Sequence, residues 1–219
     1  MNTQVAGEKT VYFVRHGQSV GNVSPAFQGT ESPLNEKGIQ QAEQIAERLT
    51  RIEFDALISS PLPRTKDTAE AIARATHKTI EYSPLFVERV KPSRIVDRAH
   101  TDPEAQKLGR EWEMSLATSG MRVEDSENYD DLVARADAAL AYLSQRPEHD
   151  LVVVTHGFFL RTMMARVLLG NTLTDKAFMN IKQRVLCENT GLTVFKYENT
   201  WEGIPTWKLW IYNDHAHLG

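Results

Sequence analysis

Two short apolar runs, VYFVR at residues 11–15 and LVVVT at 151–155, each lead directly into His-Gly. Consecutive apolar side chains leave a strand without a wet face, so both runs read as strands buried inside a sheet. Such a sheet must be covered on both sides, and patterns of helical period lie between the strand-like runs. The expected fold is a three-layer α/β/α arrangement around a mostly parallel central sheet. At 219 residues one domain spanning 1–219 is the expectation.

The first strand is Val11–Arg15, and a second, short one is Ala56–Ser59. Leu151–Thr155 is the clearest buried strand. Leu192–Tyr197 and Thr206–Tyr212 have hairpin spacing and belong at a sheet edge. Asn35 reads as an N-cap, with Ile39, Ala42, Ile45, Ala46 and Leu49 on one helical face behind it. Pro61 and Pro63 fix the entry of a helix from Arg64 to Thr76, with Ala69, Ile72 and Ala73 inward. Asn128 caps a helix over Tyr129–Leu143, and an apolar helix runs from Phe158 to Leu169. Between 84 and 125 prolines interrupt the pattern, with one helix from about Glu104 to Leu116. This stretch reads as an insertion lying over the sheet.

Composition narrows the function. The net charge of −4 argues against a general nucleic-acid or anionic-membrane partner. The single cysteine, Cys187, allows neither an internal disulfide nor a cysteine-based metal site. The polar start, Met1 to Lys9, lacks the apolar centre of a signal peptide, and no apolar run approaches the ~18 to 20 residues of a membrane span. The expectation is a cytoplasmic protein. Nothing here sets an oligomeric state, and a dimer is compatible with it.

The chemistry gathers at strand ends. In an open parallel sheet, ligands bind beyond the carboxyl ends of the strands. Two histidines, His16 and His156, follow two such ends, and Arg15 and Arg64 accompany them. Two histidines also fit a metal site, but flanking arginines would repel the cation. Planar guanidinium forks, imidazoles and helix N-termini together suit a tetrahedral oxyanion, and phosphate is the obvious guest.

The motifs "RHGQS" at 15–19, "SPLNEKGIQQA" at 32–42, "SSPLPRTKDTA" at 59–69 and "THG" at 155–157 resemble, in order and spacing, those of the histidine phosphatase superfamily, which includes the phosphoglycerate mutases. The resemblance runs from about residue 11 to about 212. It implies that His16 is the nucleophile that becomes phosphorylated. It implies that Arg15, Arg64 and His156 grip the phosphoryl oxygens, that Asn22 contacts the phosphate, and that Gln28 beside Gly29 adds a polar contact. Gly157 follows His156 in the same substrate-binding motif. Glu88 in "LFVERVKPS" matches the family's proton donor, with Glu81, Asp97 and Glu124 as rivals. The implied activity is a phosphomonoester hydrolase acting on a small phosphorylated substrate, with no metal or other cofactor. The alternatives are a mutase that returns the phosphoryl group, or a non-catalytic phospholigand-binding protein. Mutases of this family usually have tryptophan before the asparagine and a Tyr-Gly-rich segment after the glutamate. Here Gly21 precedes Asn22 and "RVKPSRIVDR" follows Glu88, which favours the hydrolase. The family's Gly-Glu-Ser is replaced by "DSENYDD", which leaves Glu127 without an assigned role.

Three further features stand apart. Arg89, Lys91, Arg94 and Arg98 make the insertion basic. They read either as a second anion site or as a solvated face. His215 and His217 near the C-terminus read as part of a packed or frayed tail. Trp201, Trp207 and Trp210 read as packing residues of the late hairpin.

Overall fold

The computed structural model describes residues 7–219; the first six residues of the polar start lie outside the described residues. Six strands form one mixed sheet in the order β3-β2-β4-β1-β5-β6. They are β1 Lys9–Arg15, β2 Ala56–Ser59, β3 Ile80–Tyr82, β4 Asp150–Thr155, β5 Leu192–Asn199 and β6 Pro205–Asp214. The first four run parallel to one another, and β5 and β6 add an antiparallel hairpin beyond β1.

Six helices accompany the strands among the described residues: α1 Glu36–Leu49, α2 Pro63–Thr76, α3 Pro103–Met114, α4 Tyr129–Ser144, α5 Gly157–Leu169 and α6 Asp175–Arg184. Strand alternation sorts them into layers. Val152 and Val154 of β4 face α1 and α2, meeting Ala42, Ile45, Leu49 and Ile72. Leu151 and Val153 face the other way, onto α4, α5 and α6, meeting Leu132, Phe159, Met163 and Phe178. The central strand therefore has no polar face, because helices cover both of its sides.

The insertion carries a small core of its own, Ile95, Ala105, Trp112 and Val123, into which Phe27 packs. It is tied to the loop after β1, with Phe27 N–H donating to Arg98 O (2.9 Å) and Asp97 N–H donating to Phe27 O (2.8 Å).

The structure departs from the sequence expectations in four places. β3 and α6 were not expected. β3 has three residues and only Ile80 half-buried, and α6 buries Phe178 alone. Ile39 lies exposed, because Gln41 takes the inward place beside Ala42. Trp201 is 94% exposed at the tip of the late hairpin, and Trp210 stands on its outer face with Lys196 Nζ 4.0 Å from its ring centre. Of the three tryptophans, Trp207 alone is half-buried, against Tyr197.

Candidate active site

β1 and β4 pair in parallel with Arg15 opposite Thr155, so the residues that follow them leave the sheet side by side. The rings of His16 and His156 lie edge-to-face, with centroids 5.1 Å apart. Both are buried, as is Arg64 in the first turn of α2. Gly157 makes room for this packing, since a Cβ there would meet Arg15 Nε at 3.0 Å.

His16 has a defined tautomer. Its Nδ1 lies 2.7 Å from Gly17 O, a carbonyl that can only accept. Nδ1 must then carry the hydrogen, and Nε2 keeps its lone pair. Burial, with Arg64 and Arg15 close by, holds the His16 pKa well below the ordinary histidine value. The ring is therefore neutral at neutral pH, as a nucleophile requires.

His156 is pushed in the same direction by burial, Arg64, His16, Arg135 and Arg15. Its Nε2 faces Ser60 Oγ at 2.8 Å. Ser60 Oγ also accepts from Leu62 N–H (3.4 Å). The Nδ1 of His156 is buried without a partner, and so are the Nε atoms of Arg15 and Arg64. Buried polar atoms are nearly always satisfied. Three orphans converging on one imidazole pair describe a site built for acceptor oxygens. Arg15 is oriented by donating to Cys187 O, and Arg64 by donating to Thr30 O (3.4 Å).

Glu88 reaches the same place from the insertion. Its carboxylate accepts from Phe159 N–H (3.1 Å), Phe158 N–H (3.3 Å) and Arg89 N–H (3.0 Å). It thus caps the first turn of α5, next to Gly157. This corrects one expectation: the N-terminus of α5 is not open to a phosphate, because Glu88 occupies it. Among the rival acids, Glu81 pairs with Arg146 (2.8 Å) and Glu124 with Arg94 (2.7 Å). Asp97 stands at the rim beside Gly29.

Asn22 is exposed at the mouth of the site. Its Oδ1 accepts from Ser19 N–H (3.1 Å) and Asn189 Nδ2 (3.3 Å), which turns its NH₂ end outward as a donor. Gln28 donates to Ser19 Oγ (2.7 Å). Gln28 and Gly29 line a cleft of about 220 Å³ that also borders Leu62, Arg64, Val87, Glu88 and Lys91.

The basic residues of the insertion divide. Arg89 is buried, donates to Trp112 O (2.5 Å) and Ser115 Oγ (3.2 Å), and stacks 3.8 Å over the Trp112 ring. Arg94 pairs with Glu124 and Arg98 with Asp102 (2.5 Å). Lys91 makes no hydrogen bond or ion pair with the described residues and faces the cleft. His217 lies between Thr190 Oγ1 (3.1 Å) and Arg48 (3.3 Å), which docks the tail on α1. His215 Nδ1 faces Asn213 O (2.8 Å).

Several supporting groups were not visible in the sequence. Thr68 Oγ1 accepts from Gly17 N–H (3.1 Å), and Asn189 donates to His16 O (2.9 Å). Ser60 lies inside a motif whose neighbouring prolines signalled only a helix entry. Asn189 sits between a helix and a strand without any local pattern.

Comparison with known proteins identifies the family. A family model described as histidine phosphatase superfamily (branch 1) matches residues 11–209. The chain is 31% identical over 215 residues to the probable phosphoglycerate mutase GpmB of Proteus mirabilis, covering 95% of this chain and 94% of the relative. It is 34% identical over 212 residues, with the same coverage, to the protein of that name from Enterobacter sp. strain 638. Among solved structures it is similar in fold to a putative alpha-ribazole-5'-P phosphatase from Escherichia coli. The TM-score is 0.76 at 19% identity, covering 95% of this chain and 97% of that one. It is also similar to a mycobacterial glucosyl-3-phosphoglycerate phosphatase, with a TM-score of 0.73 at 23% identity, covering 94% and 99%.

Proposed function

We propose, from the premise that the chain belongs to the histidine phosphatase superfamily, that it is a phosphomonoester hydrolase working through a phosphohistidine on His16. The observation that carries this reading is the neutral, buried His16 with its Nε2 lone pair free, set among the unpartnered buried nitrogens of Arg15, Arg64 and His156. Nε2 attacks phosphorus while the ester P–O bond breaks. The three equatorial oxygens gather charge, which the two guanidinium groups and His156 stabilise without reorganising. The leaving alkoxide takes a proton from Glu88. The Glu88 carboxylate then accepts a proton from the water that cleaves the phosphohistidine, releasing inorganic phosphate and restoring both residues. Burial and its cationic neighbours hold His156 neutral, so an incoming dianion favours its protonation.

The substrate body occupies the cleft beside Glu88, whose volume suits a small metabolite. We take the enzyme to act in the cytoplasm without metal. Its net charge of −4 gives no support for nucleic-acid binding, and no helix among the described residues is long and apolar enough to cross a membrane.

A second reading has its own support, since the curated relatives carry the name probable phosphoglycerate mutase. A mutase shares every step until water enters. The test is turnover of p-nitrophenyl phosphate and of phosphoglycerates, with and without a bisphosphoglycerate primer, in buffer containing chelator. Steady hydrolysis that neither primer nor chelator changes is expected. Primer-dependent interconversion with little hydrolysis would establish the mutase, and binding without turnover would leave only a ligand-binding role.

A further inference from the structure

Glu88 lies in a segment, Leu85–Val90, whose backbone is tethered at nearly every residue. Thr155 Oγ1 donates to Phe86 O (2.8 Å). Arg135, from the second turn of α4, donates through one nitrogen to both Leu85 O (3.1 Å) and Val87 O (2.8 Å). Its two remaining nitrogens donate to the two oxygens of Glu127, each at 2.7 Å. Glu127 closes the ring. Its Oε2 accepts from Val90 N–H (2.9 Å), its N–H donates to Val90 O (3.1 Å), and its carbonyl accepts from Arg89 Nε (3.3 Å). On its other face the Arg135 guanidinium lies 3.9 Å from the ring centre of Phe159, the residue whose N–H donates to Glu88. Both side chains of the pair are largely buried, at 13% and 15% exposure.

Every bond in this set ends on the residues around Glu88 and none ends on its carboxylate. A bidentate pair costs desolvation and side-chain entropy, and stability alone could come from apolar packing between α4 and the insertion. What the pair adds is geometry. It sets the segment's main chain from the Leu85 and Val87 carbonyls before Glu88 and the Val90 amide after it, and it packs on the ring of Phe159, whose N–H donates to the carboxylate. Val87 to Lys91 has no regular structure of its own, so its course depends on contacts of this kind. We propose that Arg135 and Glu127 are positioning residues for the proton donor, holding Glu88 where it can reach the leaving oxygen. This rests on the reading of Glu88 as the acid.

A positioning role and a merely structural one differ in their dependence on the leaving group. An alkoxide needs the proton, whereas a p-nitrophenolate hardly does. The test measures the phosphorylation step by single turnover on the whole protein, with an alkyl phosphate and with p-nitrophenyl phosphate. Glu88→Gln serves as reference, with an expected loss of about 10²-fold or more on the alkyl ester and a much smaller one on the aryl ester. Arg135→Met and Glu127→Gln are expected to lose roughly 10-fold on the alkyl ester and to stay within about threefold on the aryl ester. Each, combined with Glu88→Gln, should add almost nothing, because residues acting as a unit are not additive.

Equal losses on both esters, or losses that add to that of Glu88→Gln, overturn the inference while leaving Glu88 as the acid. Equal losses in Glu88→Gln itself overturn the acid assignment, and the positioning role with it. Glu127→Gln keeps size and shape, so it carries the test if Arg135→Met does not fold.

Discussion

At the scale of single residues, the site depends on keeping two histidines uncharged beside two arginines. Burial and the guanidinium groups hold the His16 and His156 pKa values well below 6.5, so both rings stay neutral as pH falls through the usual histidine range. A bound phosphate reverses that balance, because an anion favours the charged ring. In a proton NMR titration of the free enzyme, neither imidazole should show a midpoint near 6.5. Saturating inorganic phosphate should move at least one midpoint upward. Ordinary midpoints that phosphate leaves unchanged would remove the electrostatic basis of the site. Lys91 gives a second prediction. Unlike Arg89, Arg94 and Arg98 it has no hydrogen bond or ion pair with a described residue; its Nζ lies 5.7 Å from the ring centre of Trp112, and it borders the cleft with Glu88 and Arg64. Lys91→Met should raise KM several-fold for phosphomonoesters with a second negative group and leave p-nitrophenyl phosphate within about threefold. The same rise for both would mean that Lys91 does not contact the substrate body.

Between elements, the decisive contact is the crossing of the loop after β1 with the start of α1. A Cβ at Gly17 would fall well inside contact distance of the Gly38 carbonyl, and one at Gly38 would strike the Gln18 carbonyl. Both collisions are with backbone, which cannot swing away. Gly17 thus lets the main chain after β1 come close to the start of a helix. Gly17→Ala should therefore cost at least ~2 kcal/mol, toward the upper end for overpacking. Gly109→Ala, whose Cβ would meet only the movable Phe27 ring at 3.0 Å, should cost under about 1 kcal/mol. Urea unfolding of the two variants checks the ranking. This crossing also shows why reading the sequence succeeded in part. Patterns with a short repeat, such as Val152 and Val154 against Leu151 and Val153, identified strands and layers from neighbours alone. Arg15, His16, Arg64 and His156 were legible because each stands at a strand end or in the helix turn after one. Asn189, Thr68 and Arg135 were not, since each acts on a residue far away in the chain and has an ordinary local setting. α6 was not either, because one buried residue, Phe178, makes no periodic signal.

For the molecule as a whole, the same buried histidines bear on stability, and the sign can be worked out. A histidine whose folded pKa lies below its unfolded value of about 6.5 binds fewer protons folded than unfolded. Acid then favours the unfolded chain, starting at 6.5 and continuing down to the folded pKa. Each such group costs at most about 1.4 kcal/mol per pH unit in that window. His16 and His156 together could therefore cost up to ~2.7 kcal/mol per unit, a serious fraction of a typical ~5–15 kcal/mol. His217, held down to about 4, acts in the same direction but is half-exposed, and solvent screening reduces its share. The carboxylates do not confuse the window. Asp214, lowered to about 2 by Arg48, contributes stability above its unfolded value of 3.8, which is lost only as pH falls from there toward 2. Urea midpoints should accordingly fall from pH 6.5 to pH 5. His16→Gln should shallow that fall by close to half if the two buried rings share it. Inorganic phosphate should flatten it for the unmodified protein, both by binding only the folded state and by making protonated rings tolerable. Midpoints that stay level from pH 7.5 to pH 5 would mean that the two rings charge freely in the folded protein, and that the pocket is more open to water than its burial implies.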